Sequence, residues 1–451
     1  PQELRKFVFL GSGSVKGLMT FDPEIRKRVK FFQNNLAETP YKTPLDGYDL
    51  VFCRNVLIYF ERKVQEAIVH GIVNKVLNSG ILIFGHSDSF PSNRDIVSIG
   101  RSSYKKEVKT KAESISQRRK RILIVDDSTT IRKVISKILT ADFLIDESDS
   151  AVAADIALDN NKYDLITLDL NMPGENGHSW LTRHRKAGLK TPVVIVSDSS
   201  PSEAEKVFGA LEAGAQDYIV KSRLQSEPEK IVELLKSLTE TRDTYLLQGH
   251  TFRPFVNKRH SPRILLLGAS TGGPEALVKV LQGFPKPCPP IVVVQHISPE
   301  FSRAFASRLA QLSGLNFSEI EEGQVLQPNS LYTATGDYHL ILKEKQEKLF
   351  LLKSNEPKVN GHRPSVDVLF NSAAKLPVDS LSILLTGMGK DGAEGLFNLA
   401  ETNRSFTLVQ DEKSSVVFGM PKKALELGAA CFVGDLSAIR AEMINKINGG
   451  K

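Results

Sequence analysis

The chain has 451 residues, of which 41% are hydrophobic and 25% charged, the balance of ordinary globular protein. Its length predicts about three domains; no apolar run approaches the ~20 residues of a membrane span, and no secretory signal opens the sequence. Three cysteines, Cys53, Cys288 and Cys431, lie too far apart for a disulfide or metal-ligand spacing and suggest a reducing cytosol, while much of the +7 net charge falls in one basic run.

Residues 1–104 hold two apolar runs, YDLVFCRNVLIYF and GILIFGHSDSF, separated by the helical pattern ERKVQEAIVHGIVNKVLN. The basic run Lys105–Arg121 follows. It reads as a solvated linker (105–120) rather than a nucleic-acid arm, so no nucleic acid and no membrane insertion are expected. Residues 121–240 then alternate strand and helix patterns: RILIVDD, a helix from Thr129, FLIDES, a helix from Ala151, YDLITLDL, a helix around Ser179–His184, TPVVIVSD, a helix from Ser202, DYIVK, and a helix near Glu229–Leu238. Five strands alternating with five helices predict an α/β, doubly wound parallel sheet. A second linker, 241–261, leads to a third domain at 262–448, also α/β, in which short Ile/Leu/Val runs end in small or polar residues before helical patterns.

The chemistry of the middle segment gathers at strand ends. Asp126 and Asp127 close the first strand and Asp169 the third, so adjacent strands bring three carboxylates together. Such crowding invites a hard cation with oxygen ligands, Mg²⁺ by preference. Ser197 ends the fourth strand and Lys221 the fifth, a hydroxyl and an ammonium able to bind phosphoryl oxygens on Asp169. A single Asp at a strand end is more simply a solvated or helix-capping residue; five such residues at five correct positions are not. VDDS, DLNMPGENG, VSDS and DYIVK resemble the receiver domain of bacterial response regulators. The resemblance implies Asp169 as phospho-acceptor, Asp127 and Asp169 as Mg²⁺ ligands with Asp126 acting partly through water, Asn171 contributing its backbone carbonyl, and Tyr218 as the switch aromatic. Ser222 stands where that family usually has Pro after the lysine.

In the third domain Ser270 lies in RILLLGASTGGPEAL, His296 in PPIVVVQHISPEFS and Asp391 in LSILLTGMGKDGAEGL, each at the tip of a probable buried strand. Open α/β sheets place their chemistry at these carboxyl ends. Gly268–Gly272 is a G-x-S-x-G turn that exposes a hydroxyl, and the helix from Gly273 adds its N-terminal dipole, with the Thr271 N–H a natural oxyanion donor. The order Ser, His, Asp is not that of α/β-hydrolases, but triad geometry recurs on unrelated scaffolds. Ser270 is the expected nucleophile, His296 the general base and then acid, and Asp391 the group that orients it. Rival sets use His339 beside Asp337, or His362 with Ser365 and Asp367, where helix capping accounts for the last two.

GASTGGPEAL, QHISPEFS, HRPSVDVLF, LTGMGKDGAEGL and VVFGMPKKAL resemble the catalytic domain of the CheB receptor methylesterases, over residues 262–440. The resemblance implies the triad Ser270, His296 and Asp391, and the backbone of Met388 at the oxyanion site. It also implies hydrolysis of γ-glutamyl methyl esters on methyl-accepting chemotaxis receptors, glutamine deamidation, and activation by a CheA-type histidine kinase in the cytoplasm at receptor arrays. In the first segment, FFQNNLAE, YDLVFCRNVLIYF and GILIFGHSDSF resemble the C-terminal part of a CheR-type receptor methyltransferase. The family's S-adenosylmethionine neighbours would be Asn35, Leu36, Asn55 and Val56. The glycine-rich loop that such a cofactor site requires does not occur upstream of them. S-adenosylmethionine binding and methyltransferase activity are therefore not expected, and a partial Rossmann-like half-domain with structural or partner-binding use is. Two competing classes are an interaction protein with an inactive esterase fold and a DNA-binding regulator; the second lacks a helix-turn-helix after the receiver.

Overall fold

The computed structural model describes residues 8–10, 19–36, 41, 47–85, 96–100, 103–106, 119–239, 261–321 and 323–449. Most of the basic linker (107–118) and nearly all of the second linker (240–260) lie outside the described residues. The chain divides into two compact units, Pro1–Arg118 and Arg119–Lys451.

In the first unit β1 (Val8–Leu10) and β2 (Met19–Phe21) form a small antiparallel pair, followed by α1 (Pro23–Arg28). A four-stranded sheet comprises β3 (Tyr48–Cys53), β4 (Val76–Phe84), β5 (Ile96–Gly100) and β6 (Ser103–Lys106), in the order β3-β4-β6-β5. Strands β3 and β4 are parallel and joined through α2 (Arg62–Asn74), one βαβ unit; β6 runs antiparallel to β4. Ile68, Val69 and Val73 of α2 pack with Cys53, Leu57, Leu82 and Phe84. The helical pattern expected to run through Asn78 stops at Asn74. Lys75 instead accepts the Tyr48 N–H at 2.9 Å and Val76 pairs with Tyr48, so sheet pairing overrides helical periodicity.

The second unit begins with β7 (Arg121–Val125), α3 (Thr129–Leu139), β8 (Leu144–Ser148), α4 (Ala151–Asn160), β9 (Leu165–Asp169), α5 (Gly177–Lys186), β10 (Val193–Ser197), α6 (Pro201–Glu212), β11 (Asp217–Val220) and α7 (Pro228–Thr239). The strands form a wholly parallel sheet in the order β11-β10-β9-β7-β8. This is the doubly wound arrangement whose switch point lies at β7/β9. Strands β9 and β10 are buried along their whole length, which is why they read as unbroken apolar runs. Ser128, Ser150, Asn176 and Ser200 cap the helices that follow β7 to β10.

The third domain continues with β12 (Ile264–Ala269), α8 (Gly273–Leu281), β13 (Ile291–Gln295), α9 (Pro299–Ser313), β14 (Asn316–Phe317), β15 (Ser330–Thr333), β16 (His339–Lys345), β17 (Lys348–Ser354), α10 (Val366–Ala374), β18 (Ser380–Leu384), α11 (Ala393–Glu401), β19 (Ser405–Gln410), α12 (Met420–Glu426), β20 (Phe432–Gly434) and α13 (Leu436–Ile447). Seven strands make a parallel sheet, β14-β15-β13-β12-β18-β19-β20. The antiparallel hairpin β16–β17 is an addition that the sequence patterns did not separate. Because β12 lies between β13 and β18, the residues after these three strands are neighbours: Ser270, His296 and the loop to Asp391.

One apolar core is continuous from the receiver into the third domain. Phe208 of α6 meets Phe301 and Phe305 of α9, with ring centroids 6.4 and 6.0 Å apart, and Tyr218 of β11 meets Phe301 at 5.1 Å. Phe301 is fully buried. Arg308 on α9 pairs with Glu212 on α6 at the rim of this contact.

Candidate active site

Asp391 is the best-connected side chain of the third domain's site. Its carboxylate accepts five hydrogen bonds: His296 Nε2 (2.8 Å) and the Val366 N–H (2.7 Å) on Oδ2, and Ser365 Oγ (2.7 Å), Asn360 Nδ2 (3.0 Å) and the Asp367 N–H (3.3 Å) on Oδ1. Three of these donors belong to the N-terminus of α10, where unpaired N–H groups and the helix dipole favour an anion. Burial alone would raise the Asp391 pKa, but the hydrogen bonds from His296, Asn360 and Ser365 hold it well below the usual carboxylate range. Asp391 is therefore an anion, and His296 Nε2 must carry the proton between them. His296 Nδ1 is then a bare acceptor, buried and without a hydrogen-bond partner.

Ser270 follows β12 and is 8% exposed. The His296 N–H bonds the Ala269 carbonyl (3.1 Å), so His296 begins where the strand leading to Ser270 ends. Gln295 ties the two together, its Nε2 donating to the carbonyls of Ser270 (2.8 Å) and His296 (3.0 Å). No Ser270–His296 hydrogen bond is made among the described residues; Nδ1 has its acceptor capacity in reserve. The turn is tight: a Cβ on Gly387 would lie 2.7 Å from that of Ser270, and Gly272 caps α8 at φ +72°. Met388 and Thr271 line the same cleft as Ser270 and His296.

The rival histidines separate cleanly. His339 is buried with both ring nitrogens engaged, by the Pro357 carbonyl (3.1 Å) and the Ser365 N–H (3.1 Å). His362 is brought to the site, stacked on His296 with centroids 3.7 Å apart and planes 4° from parallel. Burial, then the neighbouring His296, pushes its pKa down to about 3. Capping accounts for Ser365, which accepts the Val368 N–H, but it misses this hydroxyl's second bond, to Asp391. It does not account for Asp367, which lies inside the first turn, buried, and accepts the Gly395 N–H (2.7 Å) and Asn360 Nδ2 (2.7 Å). Burial and the charge of Asp391 push Asp367 up to about 6. Gln295, Asn360 and Val366 were not among the expected site residues, because their roles depend on long-range contacts that no local pattern records.

In the receiver, ligand oxygens of Asp126, Asp127 and Asp169 lie within 4.8 Å of one another. Lys221 Nζ is 3.0 Å from Asp169 Oδ2 and 3.4 Å from Asp126 Oδ2. Asp126 Oδ2 is buried and accepts no hydrogen bond, and its carboxyl pKa is raised by burial and by Asp169. A buried, underused carboxylate oxygen beside two more carboxylates is a donor set suited to a divalent cation. The Asn171 N–H bonds Asp169 Oδ1 (3.2 Å). Ser197 Oγ donates to Glu203 Oε2 (3.1 Å), which also takes Asn171 Nδ2 (2.9 Å), while Lys206 reaches Glu203 Oε1 (2.7 Å). Glu203 thus occupies the hydroxyl expected to meet a phosphoryl oxygen. Tyr218 faces the third domain: its hydroxyl lies 3.3 Å from Ser298 Oγ and accepts the Ser298 N–H (3.2 Å). Beside it, burial pushes Asp217 up to about 6, against hydrogen bonds from the Tyr218 N–H and the Thr271 side chain. Asp217 to Val220, Lys230 and Leu234 line the Ser270 cleft from the receiver side.

In the first unit, Asn55 follows β3 at φ 57°, and the Leu36 carbonyl accepts the Tyr41 hydroxyl (2.9 Å). Asn35 and Asn55 are exposed; Leu36 and Val56 are half-buried against the unit's core.

Fold and site together define a receiver joined to a hydrolase domain of α/β architecture. Residues 265–443 match the CheB methylesterase family, 122–236 the response regulator receiver domain, and 2–105 the SAM-binding domain of CheR methyltransferases. The chain is 37% identical over 342 residues to protein-glutamate methylesterase/protein-glutamine glutaminase 2 of Shewanella sp. (strain MR-7), covering 72% of this chain and 97% of that protein. It is 35% identical over 344 residues to the corresponding Escherichia coli K12 protein, covering 73% and 98%. The solved Thermotoga maritima CheB methylesterase catalytic domain aligns with 38% identity and a TM-score of 0.39, over 41% of this chain and 98% of that one. The chain belongs to the CheB methylesterase family, carrying a CheR-related segment ahead of its receiver. Among the described residues no helix is long and apolar enough to cross a membrane.

The Asp391 network yields a direct test. Ser365→Ala removes a helix cap and one donor to a buried anion, and should cost about 2–4 kcal/mol in urea unfolding at pH 7. Because Asp391 is held below its unfolded pKa, its contribution is present above that value and lost as pH falls, so the deficit should shrink below about pH 4.

Proposed function

We propose that this chain hydrolyses γ-glutamyl methyl esters on methyl-accepting chemotaxis receptors, and deamidates receptor glutamines, through Ser270, His296 and Asp391. The observation that carries this is the buried Asp391–His296 pair, whose unpartnered Nδ1 belongs to a ring lining the same cleft as Ser270. Ser270 Oγ attacks the γ-carbonyl carbon and its proton passes to His296 Nδ1. Asp391 holds the ring through Nε2–H and balances the imidazolium. The carbonyl oxygen, now negative, meets the Thr271 N–H and the backbone at Met388. His296 returns the proton to the methoxy oxygen and methanol leaves. Water, deprotonated by His296, then attacks the acyl-serine, releasing glutamate and restoring Ser270. With a glutamine substrate, ammonia takes the place of methanol.

The same reading makes the receiver a phosphorylation-controlled cover. Asp169 accepts a phosphoryl group from a CheA-type histidine kinase, with Lys221 and Ser197 binding its oxygens. Asp126, Asp127, Asp169 and the Asn171 backbone carbonyl would hold Mg²⁺, which supplies neutralising charge for the phosphoryl oxygens. Ser197 must leave Glu203 to reach the phosphoryl group, which disturbs the start of α6, the helix packed on α9. Contacts of Tyr218 and Asp217 with Ser298 and Thr271 then loosen and the cleft opens. We place the protein in the cytoplasm at receptor arrays, consistent with its free thiols. Residues 1–104 by themselves are assigned no S-adenosylmethionine binding and no methyltransferase activity.

Methanol release from methylated receptor is the deciding assay. Ser270→Ala should abolish it, and Asp391→Asn should lower it by about 10⁴-fold through loss of the histidine tautomer; full activity of Ser270→Ala would refute the serine mechanism. Acetyl phosphate with Mg²⁺ should accelerate the intact chain, and Asp169→Asn should lose that acceleration while keeping basal hydrolysis. If Asp169→Asn still responds, control does not pass through this aspartate.

Asp217 adds a pH dependence. Closure raises its pKa to about 6, and opening returns it toward the ordinary value near 4. Protonation therefore favours the closed form. Between pH 7.5 and 5.5 the ratio of beryllofluoride-activated to basal hydrolysis should rise by up to about fourfold. Asp217→Asn should flatten it; an unchanged slope in that variant would place the titrating group elsewhere.

A further inference from the structure

We propose that His362 is a positioning residue for the hydrolysis, a neutral aromatic plate that fixes the plane of His296 and stabilises its imidazolium during acyl transfer. The inference rests on the triad reading of Ser270, His296 and Asp391. The two imidazoles lie face to face, 3.7 Å between centroids and 4° from parallel. The edges of His296 are committed: Nε2 to Asp391, and Nδ1 left bare for the serine proton. A hydrogen bond to one nitrogen does not stop the ring from rocking about that bond. A flat partner against one face does, and it also keeps water from that face.

His362 is itself held firmly. Its backbone exchanges two hydrogen bonds with Val359, at 2.9 and 3.1 Å. The next residue, Arg363, is clamped on Asp337 through Nε (3.0 Å) and Nη2 (2.7 Å), and on the carbonyls of Asn355 and Glu356. The segment 360–366 also supplies Asn360, Ser365 and the Val366 N–H to Asp391. One short stretch of chain thus sets both the anion below His296 and the plate beside it.

The electrostatics suit this role and not that of a second base. When His296 accepts the Ser270 proton, it becomes a cation over a neutral ring face, which is attractive. A charged His362 would repel it. The charged or titratable groups facing His362 are His296, Asp391, Lys230 of α7 and Lys358, and burial with the nearby positive charges keeps it neutral. No proton needs to pass through His362 in any step of the hydrolysis.

The test uses the full chain with acetyl phosphate and Mg²⁺, measuring methanol release for His362→Leu and His362→Phe beside Ser270→Ala. Leucine fills the space without an aromatic face and should lower kcat by about 3- to 30-fold with KM nearly unchanged. Phenylalanine restores a flat neutral face and should bring kcat back to within about threefold of the parent. In NMR spectra the His296 ring protons should lose their ring-current shift in the leucine variant and regain one in the phenylalanine variant. An unimpaired His362→Leu, or a His362→Phe no better than it, overturns the stacking role; a His362→Phe as inactive as Ser270→Ala shows that His362 transfers protons instead. Hydrolysis surviving in Ser270→Ala would bring down the triad reading itself, and this inference with it, whereas an inactive Ser270→Ala beside an unimpaired His362→Leu removes this inference alone.

Discussion

The arrangement of the hydrolase site depends on one buried anion. Asp391 is 1% exposed, and removing a carboxylate from water costs several kcal/mol unless its oxygens are fully used. Five donors meet that demand, two from side chains of the segment before α10, two from N–H groups of its first turn, and one from His296. A helix start offers such unpaired N–H groups side by side. The position of α10 is therefore a condition of the chemistry, although α10 carries no reacting group in the proposed mechanism. Gly268 admits it: a Cβ there would lie 2.3 Å from Val366 Cγ1.

From that anion the tautomer of a neutral His296 follows. An ionised Asp391 requires Nε2–H on His296, which leaves Nδ1 as the only acceptor of the ring. Gln295, the last residue of strand β13, ties His296 to Ser270 by donating to both their carbonyls. Its own Oε1 is buried without a partner, and a Cβ on Gly273 would strike it at 2.0 Å. The glycines of GASTGG thus leave room for a polar side chain from the adjoining strand as well as allowing a sharp turn.

Much of this was legible in the sequence because parallel strands buried on both faces appear as unbroken apolar runs, and their carboxyl ends mark where chemistry gathers. Asp126, Asp127, Asp169 and Lys221 follow such runs and do converge, as do His296 and Asp391. The hairpin β16–β17 was less visible, since HLILKEK and KLFLLKS alternate only in part and lie outside the main sheet. The end of α2 was misread because periodicity cannot register that Tyr48 captures the Lys75 carbonyl. His362 and Asn360 escaped assignment for a different reason. Their partners are 66 and 31 positions away, and nothing in HRPSVD distinguishes a histidine that stacks on a distant ring from one that fills a loop. Tyr218 was identified as a switch residue, but which surface it faces is a property of the packing of two domains.

That packing gives strand β11 a double duty. It is an edge strand, hydrogen-bonded only to β10, and an edge left open is a liability that proteins cover. Here the cover includes the mouth of the hydrolase site. One end of the strand leads to Lys221, which holds Asp169 and faces Asp126; the other end presents Asp217 to Thr271 and Tyr218 to Ser298. Four residue steps at ~3.3 Å separate these ends by about 13 Å. In the proposed regulation, a phosphoryl group competing for Lys221 acts on the same short, singly paired strand that closes the cleft, so no longer relay through the receiver core is required. The same economy sets a limit: opening the cleft exposes the β11 edge and the aromatic face of Phe208 and Phe301, which oppose it.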